Sequence, residues 1–116
     1  MPAIRLQDKL KTFSEHWSPK IVAQLNGHDV MVVKLQGAFA WHSHDDTDDF
    51  FLVLEGQIRL ETEVETVMLQ AGDLYVVPKG VRHRPVAEEE AAVLLIEREG
   101  VPNTGDPATA ATKEPI

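Results

Sequence analysis

The chain has 116 residues, 43% of them apolar and 26% charged, which gives room for one domain around one core and not for two. Its net charge of −8, with Lys79, Arg82 and Arg84 the only basic residues gathered together, argues against nucleic acid or an anionic membrane as a partner. Cysteine is absent, which excludes a disulfide framework and thiolate metal sites, so any metal must be held by nitrogen and oxygen donors.

The N-terminal stretch carries Arg5, Asp8 and Lys9 and lacks the apolar run of a secretory signal, so a cytoplasmic location is expected. No apolar run approaches the roughly 20 residues that span a bilayer. Leu6, Leu10 and Phe13 fall on one helical face, which predicts a short helix between Leu6 and Glu15 within an N-terminal arm over residues 1–18.

From Lys20 the pattern changes to short β-type runs separated by turn residues. Ile21–Leu25 and Val30–Leu35 flank Asn26-Gly27, a dipeptide suited to a tight hairpin because both central positions need positive φ. The spacing then predicts strands over Phe39–His44, Phe50–Leu54, Gln57–Glu61, Val64–Leu69, Leu74–Val77, Arg82–Val86 and Ala91–Glu97, with the acidic run Glu88–Glu90 before the last. Short strands at this spacing suggest a closed or sandwiched antiparallel sheet over residues 19–100. Phe50–Leu54 lacks clean alternation, which suggests burial on both faces and, for so small a barrel, an outer face packed on a second chain as a homodimer. Residues 101–116 hold Pro102, Gly105, Pro107 and Pro115 without periodicity, and read as a C-terminal arm ordered only where something covers it.

The chemistry concentrates in two stretches. His42 and His44 stand two apart in a segment that reads as strand, a spacing that puts both imidazoles on one face, about 6.5 to 7 Å apart at Cα. After the polar link Asp45-Asp46-Thr47-Asp48, Asp49 opens the next strand and shares a face with Phe51 and Val53. Farther on, Gly72 and Gly80 suit tight turns, Pro78 ends a ladder by lacking a donor, and His83 opens a new strand. Asp45, Asp46 and Asp48 read as a solvated loop, and His16 and His28 as surface residues. Phe39, Trp41, Phe51 and Tyr75 are candidate pocket residues, Arg59 and Arg82 could meet an anionic substrate, and no residue of the motifs is an evident general base, with Glu55 and Tyr75 as candidates.

These stretches resemble the cupin superfamily. His42, His44, Asp49 and Gly56 fit the spacing of that family's first motif, with Asp where Glu is usual and with Gly37 one residue closer to His42. Gly72, Pro78, Gly80 and His83 match the second motif, with Ala87 in place of its Asn. The resemblance implies an all-β double-stranded β-helix, or jelly-roll barrel, with a short N-terminal helix and the two motifs facing each other across the mouth. It also implies one divalent metal ion (Fe, Mn, Ni, Zn or Co) held by His42, His44 and His83 through nitrogen and by Asp49 through oxygen. Aspartate reaches about 1.5 Å less than glutamate, one carbon–carbon bond. Direct ligation, ligation through water and a three-histidine site are therefore all open. Some cupins lack a metal, and the presence here of all three histidines speaks against that. Two functions follow as expectations. One is a metal-dependent enzyme, dioxygenase- or isomerase-like, acting on a small organic molecule. The other is a non-catalytic metal-dependent module that binds or senses a small molecule, for which the single domain and sparse catalytic groups speak.

Overall fold

A computed structural model describes residues 2–116, so Met1, the first residue of the expected N-terminal arm, lies outside the described residues. The elements follow in the order α1 (Leu6–Leu10), β1 (Lys20–Leu25), β2 (His28–Ala38), β3 (Asp49–Glu55), β4 (Gln57–Thr62), β5 (Thr66–Gln70), β6 (Leu74–Val77), β7 (His83–Arg98) and β8 (Glu114–Pro115). The expected all-β jelly-roll barrel with a short N-terminal helix is what the chain forms.

β7 is its spine. One edge pairs antiparallel with β2 from His28↔Arg98 to Ala38↔Val86. The other edge takes β3, from Phe50↔Ile96 to Glu55↔Ala92, and then β4, from Arg59↔Val86 to Thr62↔His83. β3 and β4 thus run consecutively along β7 in the same direction, with Gly56 where they meet. The Glu88–Glu90 run faces that junction. Leu35 pairs with Ala91 and Gly37 with Ala87, so β7 carries extra residues there that have no counterpart in β2. All three glutamates are exposed on this bulge. This corrects the expectation of separate strands over Arg82–Val86 and Ala91–Glu97, since the acidic run bends one long strand instead of ending it. β1 pairs with β2 through the predicted hairpin, in which Asn26 (φ 50°) and Gly27 (φ 75°) both adopt positive φ.

Alternation places Met31, Val33 and Leu35 of β2, Phe51 and Val53 of β3, Ile58 and Leu60 of β4, and Val93 and Leu95 of β7 inside the barrel. A second apolar cluster lies on the outer face of the sheet, where Leu10 and Phe13 of the N-terminal arm cover Val22, Val32 and Ala92. This cluster explains why Met31-Val32-Val33 reads as a continuous apolar run. α1 spans one turn and ends earlier than predicted. It has no side-chain N-cap bond, and its last residue gives way to a turn that brings Phe13 onto the sheet.

Two further expectations are corrected. The strand predicted over Val64–Leu69 starts only at Thr66, because the Thr62 hydroxyl accepts from the Val64 and Glu65 amides and donates to the Glu65 carbonyl, forming a turn. The strand predicted over Phe39–His44 does not form. Phe39 N donates to the Pro85 carbonyl at 3.0 Å, but Pro85 has no N–H to return and the ladder stops. Beyond it the backbone rejoins β7 only through an isolated bridge between His42 and His83.

Gly56 (φ 77°) carries the bend between β3 and β4, and a Cβ there would stand 3.0 Å from the Glu90 carbonyl oxygen and 3.2 Å from Ala91 Cα. At Gly27 (φ 75°) nothing lies within 4 Å of such an atom. Gly27→Ala is therefore expected to lose about 1 kcal/mol through positive φ alone, and Gly56→Ala roughly 1–3 kcal/mol more through the clash. Denaturant unfolding of both variants checks this order.

Candidate metal centre

Three pieces of backbone bring the predicted ligands together. His42 and His83 exchange two backbone hydrogen bonds, His42 N to His83 O at 3.0 Å and His83 N to His42 O at 2.9 Å. His44 follows in the irregular segment, fixed where the Gly80 amide donates to its carbonyl at 2.7 Å. Asp49 opens β3, its side chain turned inward with Phe51 and Val53, as alternation predicts. All four side chains are buried, and each offers one ligand atom within 4.8 Å of the others. The irregular backbone costs nothing in convergence, since the bridge does what a strand was expected to do.

The Asp49 Oδ2 atom stands 2.8 Å from His83 Nε2, 3.4 Å from His44 Nε2 and 3.9 Å from His42 Nε2. Donors about 2.1 Å from one ion are separated from each other by roughly 3 to 3.4 Å, so these spacings suit a shared cation. From the first residue of β3, Asp49 thus brings one carboxylate oxygen to within 3.9 Å of all three Nε2 atoms. His42 Nδ1 faces the Ala40 carbonyl and His83 Nδ1 the Val81 carbonyl, each at 2.8 Å. With the Nδ1 proton donated to a carbonyl, the neutral His42 ring turns an unprotonated Nε2 toward the cluster, the tautomer a metal needs, whereas His83 Nε2 donates to Asp49 Oδ2 at 2.8 Å and gives up that proton when a metal binds. His44 Nε2 is buried without a hydrogen-bond partner. A buried polar atom left in that state is unfavourable, and a cation among these four groups satisfies it. The residues therefore fit a divalent ion.

Electrostatics separate the two histidines of the first stretch. Burial pushes His42 down to about 4, against the smaller opposing effect of its bond to Ala40. Burial also opposes the charged form of His44, but the adjacent Asp49 carboxylate outweighs it and holds this imidazole above its ordinary value. At Asp49 the order is the same: burial favours the acid, and His44 and His83 outweigh it to keep the carboxyl below the usual carboxylate range.

Of the four, His42 and Asp49 line one end of a cleft of about 430 Å³, the open space at its mouth included. Val33, Leu35, Phe51, Val93 and Leu95 form apolar walls. Trp17 and Phe39, stacked 4.9 Å apart, form another. Glu97 and Asn103 supply further polar groups to the lining.

Phe39 and Phe51 thus line the cleft as expected, whereas other candidates are elsewhere. Trp41 is exposed beneath the guanidinium groups of Arg84 and Arg82, at 5.2 and 5.9 Å. Arg59 is paired with Glu61 and Glu88. Tyr75 donates to Glu65, and Glu55 is exposed at the bend before Gly56, so neither candidate base reaches the cleft. His16 pairs with Glu90 and His28 with the Asn26 carbonyl, both outside the group. Sequence reasoning missed Trp17, Glu97 and Asn103. Only Glu97 left a trace, two residues beyond Leu95 on the inward face of the last long strand.

Comparison with known proteins places this geometry. Residues 29–97 match the family described as Cupin domain. A cupin-2 domain containing protein from Shewanella frigidimarina shares 43% identity and superposes with a TM-score of 0.81, covering 83% of this chain and 94% of that one. YdbB of Bacillus subtilis is 34% identical over 77 residues, 66% of this chain and 68% of YdbB. The 3-hydroxyanthranilate 3,4-dioxygenase of Xanthomonas euvesicatoria is 32% identical over 87 residues, 72% of this chain. The match spans 49% of that enzyme, about half its length.

In the metal-free protein the His42 imidazole is expected to titrate near 4 and that of His44 above 6.5. Protons therefore compete with a metal at His44 first, and affinity falls as pH drops. Proton NMR of the imidazole resonances, assigned with His42→Ala and His44→Ala, checks the order, and the reverse order contradicts the electrostatics described here.

Proposed function

The chain belongs to the cupin domain family, and we propose that it is a metal-dependent enzyme acting on a small organic molecule, with dioxygenase- or isomerase-like chemistry. One observation carries this reading: three imidazoles and a carboxylate, all buried, meet in one cluster, two of whose members, His42 and Asp49, line the end of an apolar cleft that opens to solvent. Three nitrogen donors and one oxygen donor suit first-row metals such as Fe, Mn, Ni, Zn or Co and leave coordination positions for a ligand. Kinship with a dioxygenase over half of that enzyme's length supports the oxidative variant.

Bound there, a divalent ion supplies Lewis acidity toward a substrate oxygen and, if redox-active, a site for dioxygen chemistry. The protein's part is to hold and exclude. His42, His44, His83 and Asp49 would ligate, the Ala40 and Val81 carbonyls fix the ring orientations, and the apolar walls keep bulk water from the reacting groups. Elemental analysis of protein purified without chelator or a nickel column is expected to give one metal per chain. His42→Ala should lose it, and Asp49→Ala should weaken binding at least tenfold. Metal-loaded protein is then offered phenolic, diketone and sugar-phosphate substrates. Turnover of one supports the enzyme, whereas a ligand bound tightly and recovered unchanged identifies a binding or sensing module.

The same reading includes a homodimer. On the outer face Phe50 pairs with Val76 and Leu52 with Leu74, and Leu94 and Ile96 of β7 continue the rows. Leu74 and Val76 are exposed, and the N-terminal arm covers a different part of this face. A contiguous apolar patch of this kind supports self-association. Light scattering at micromolar concentration should give twice the 12.9 kDa of one chain, and Leu74→Glu should return it to one.

A further inference from the structure

Two further charged residues, Glu97 on the cleft and Lys113 behind it, lie within electrostatic reach of the ligand group. Glu97 follows Val93 and Leu95 on the inward face of β7, and it is 4% exposed. Its Oε2 accepts from Lys113 Nζ at 2.9 Å, and the same ammonium donates to the Val101 carbonyl. Lys113 belongs to the C-terminal arm, which returns to the barrel and pairs as β8 with β1. The arm therefore brings a partly buried positive charge up behind a carboxylate that lines the cleft.

The charges on the cleft can be counted. Asp49 and Glu97 contribute two negative charges and Lys113 one positive, while the three histidines ligate as neutral imidazoles. A divalent ion leaves the cleft with one positive charge in excess. Apolar walls screen that excess far less than water does. Burial, and after it the Asp49 charge, holds Glu97 above the ordinary carboxylate range, so any proton it takes up enlarges the excess.

Resting on the metal reading above, we propose that the cleft selects a small, mainly apolar monoanion. Lys113, delivered by the C-terminal arm, supplies the charge that sets this preference, and Glu97 opposes it. Without Lys113 the count falls to zero and a neutral molecule should bind as well as an anion. Without Glu97 it rises by one.

The test uses isothermal titration calorimetry of the full-length, zinc-loaded protein with benzoate and its neutral isostere benzamide. One charge roughly 10 Å away at an effective dielectric constant near 20 changes affinity about tenfold. Benzoate should bind at least tenfold tighter than benzamide. Lys113→Met should reduce that ratio about tenfold and Glu97→Gln raise it about tenfold. The double variant, whose count equals the starting one, should restore the original ratio. Near-UV circular dichroism checks each fold, and if Lys113→Met unfolds, Glu97→Gln and the double variant carry the same test of sign. Equal affinity for both probes, a ratio unmoved by either substitution, or no binding of either probe to zinc-loaded protein overturns the proposal. Failure to take up zinc at all refutes the underlying metal reading instead, and the charge count with it.

Discussion

Burying an ionised carboxylate costs several kcal/mol unless donors or positive charge surround it. Asp49 is 4% exposed, at the start of β3, and its surroundings answer that cost in a particular way. Imidazole nitrogens approach one of its oxygens from three sides, two of the rings fixed by carbonyls of their own local backbone. A group of this kind would be a poor choice for stability alone, since apolar side chains of similar volume fill such a space at lower cost. It is a good choice for a site whose remaining charge is brought by an ion.

The fold delivers these groups through β7. Pairing sets the start of β3 beside the end of β7, at Phe50↔Ile96, and the Asp49 side chain reaches from there to His83 at the start of β7. The segment after β2 has only to be tied to β7 at one point for its two histidines to join them. The outer cluster under Leu10 and Phe13 steadies the same sheet from behind.

Much of this was legible in the sequence for a simple reason. Strands repeat every two residues, so the spacing of His42 and His44 and the run Asp49, Phe51, Val53 carry side-chain direction directly. The glycines and prolines of the turns mark the ends. What was illegible depends on partners distant in sequence. Nothing local to Phe39–His44 announces that Pro85 interrupts their ladder, nor does Glu88–Glu90 reveal that it bulges from a continuous strand and does not end one. The turn built on the Thr62 hydroxyl took Val64 out of β5 by a local bond, yet the run's β-branched residues argued the other way. Glu97 was passed over because a glutamate at the end of a strand is usually solvated. Its burial follows from Lys113, which approaches from an arm whose composition carries no periodic signal.

The paired backbone bonds between residues 42 and 83 have a consequence of another kind. A bridge made of main-chain atoms places no demand on the side chains it carries, and a reciprocally bonded antiparallel pair holds its Cα atoms about 5.5 Å apart whatever the residues. The two positions thus form a frame that holds its backbone geometry when other donors are grafted onto it, provided the new side chain still answers the charge of Asp49. Exchanging one imidazole for a carboxylate would shift the donor set toward harder cations, and substituting an apolar residue would leave a plain binding cavity. Diversification of this scaffold is therefore cheap at its most functional point, where two separate stretches of chain already share a common anchor.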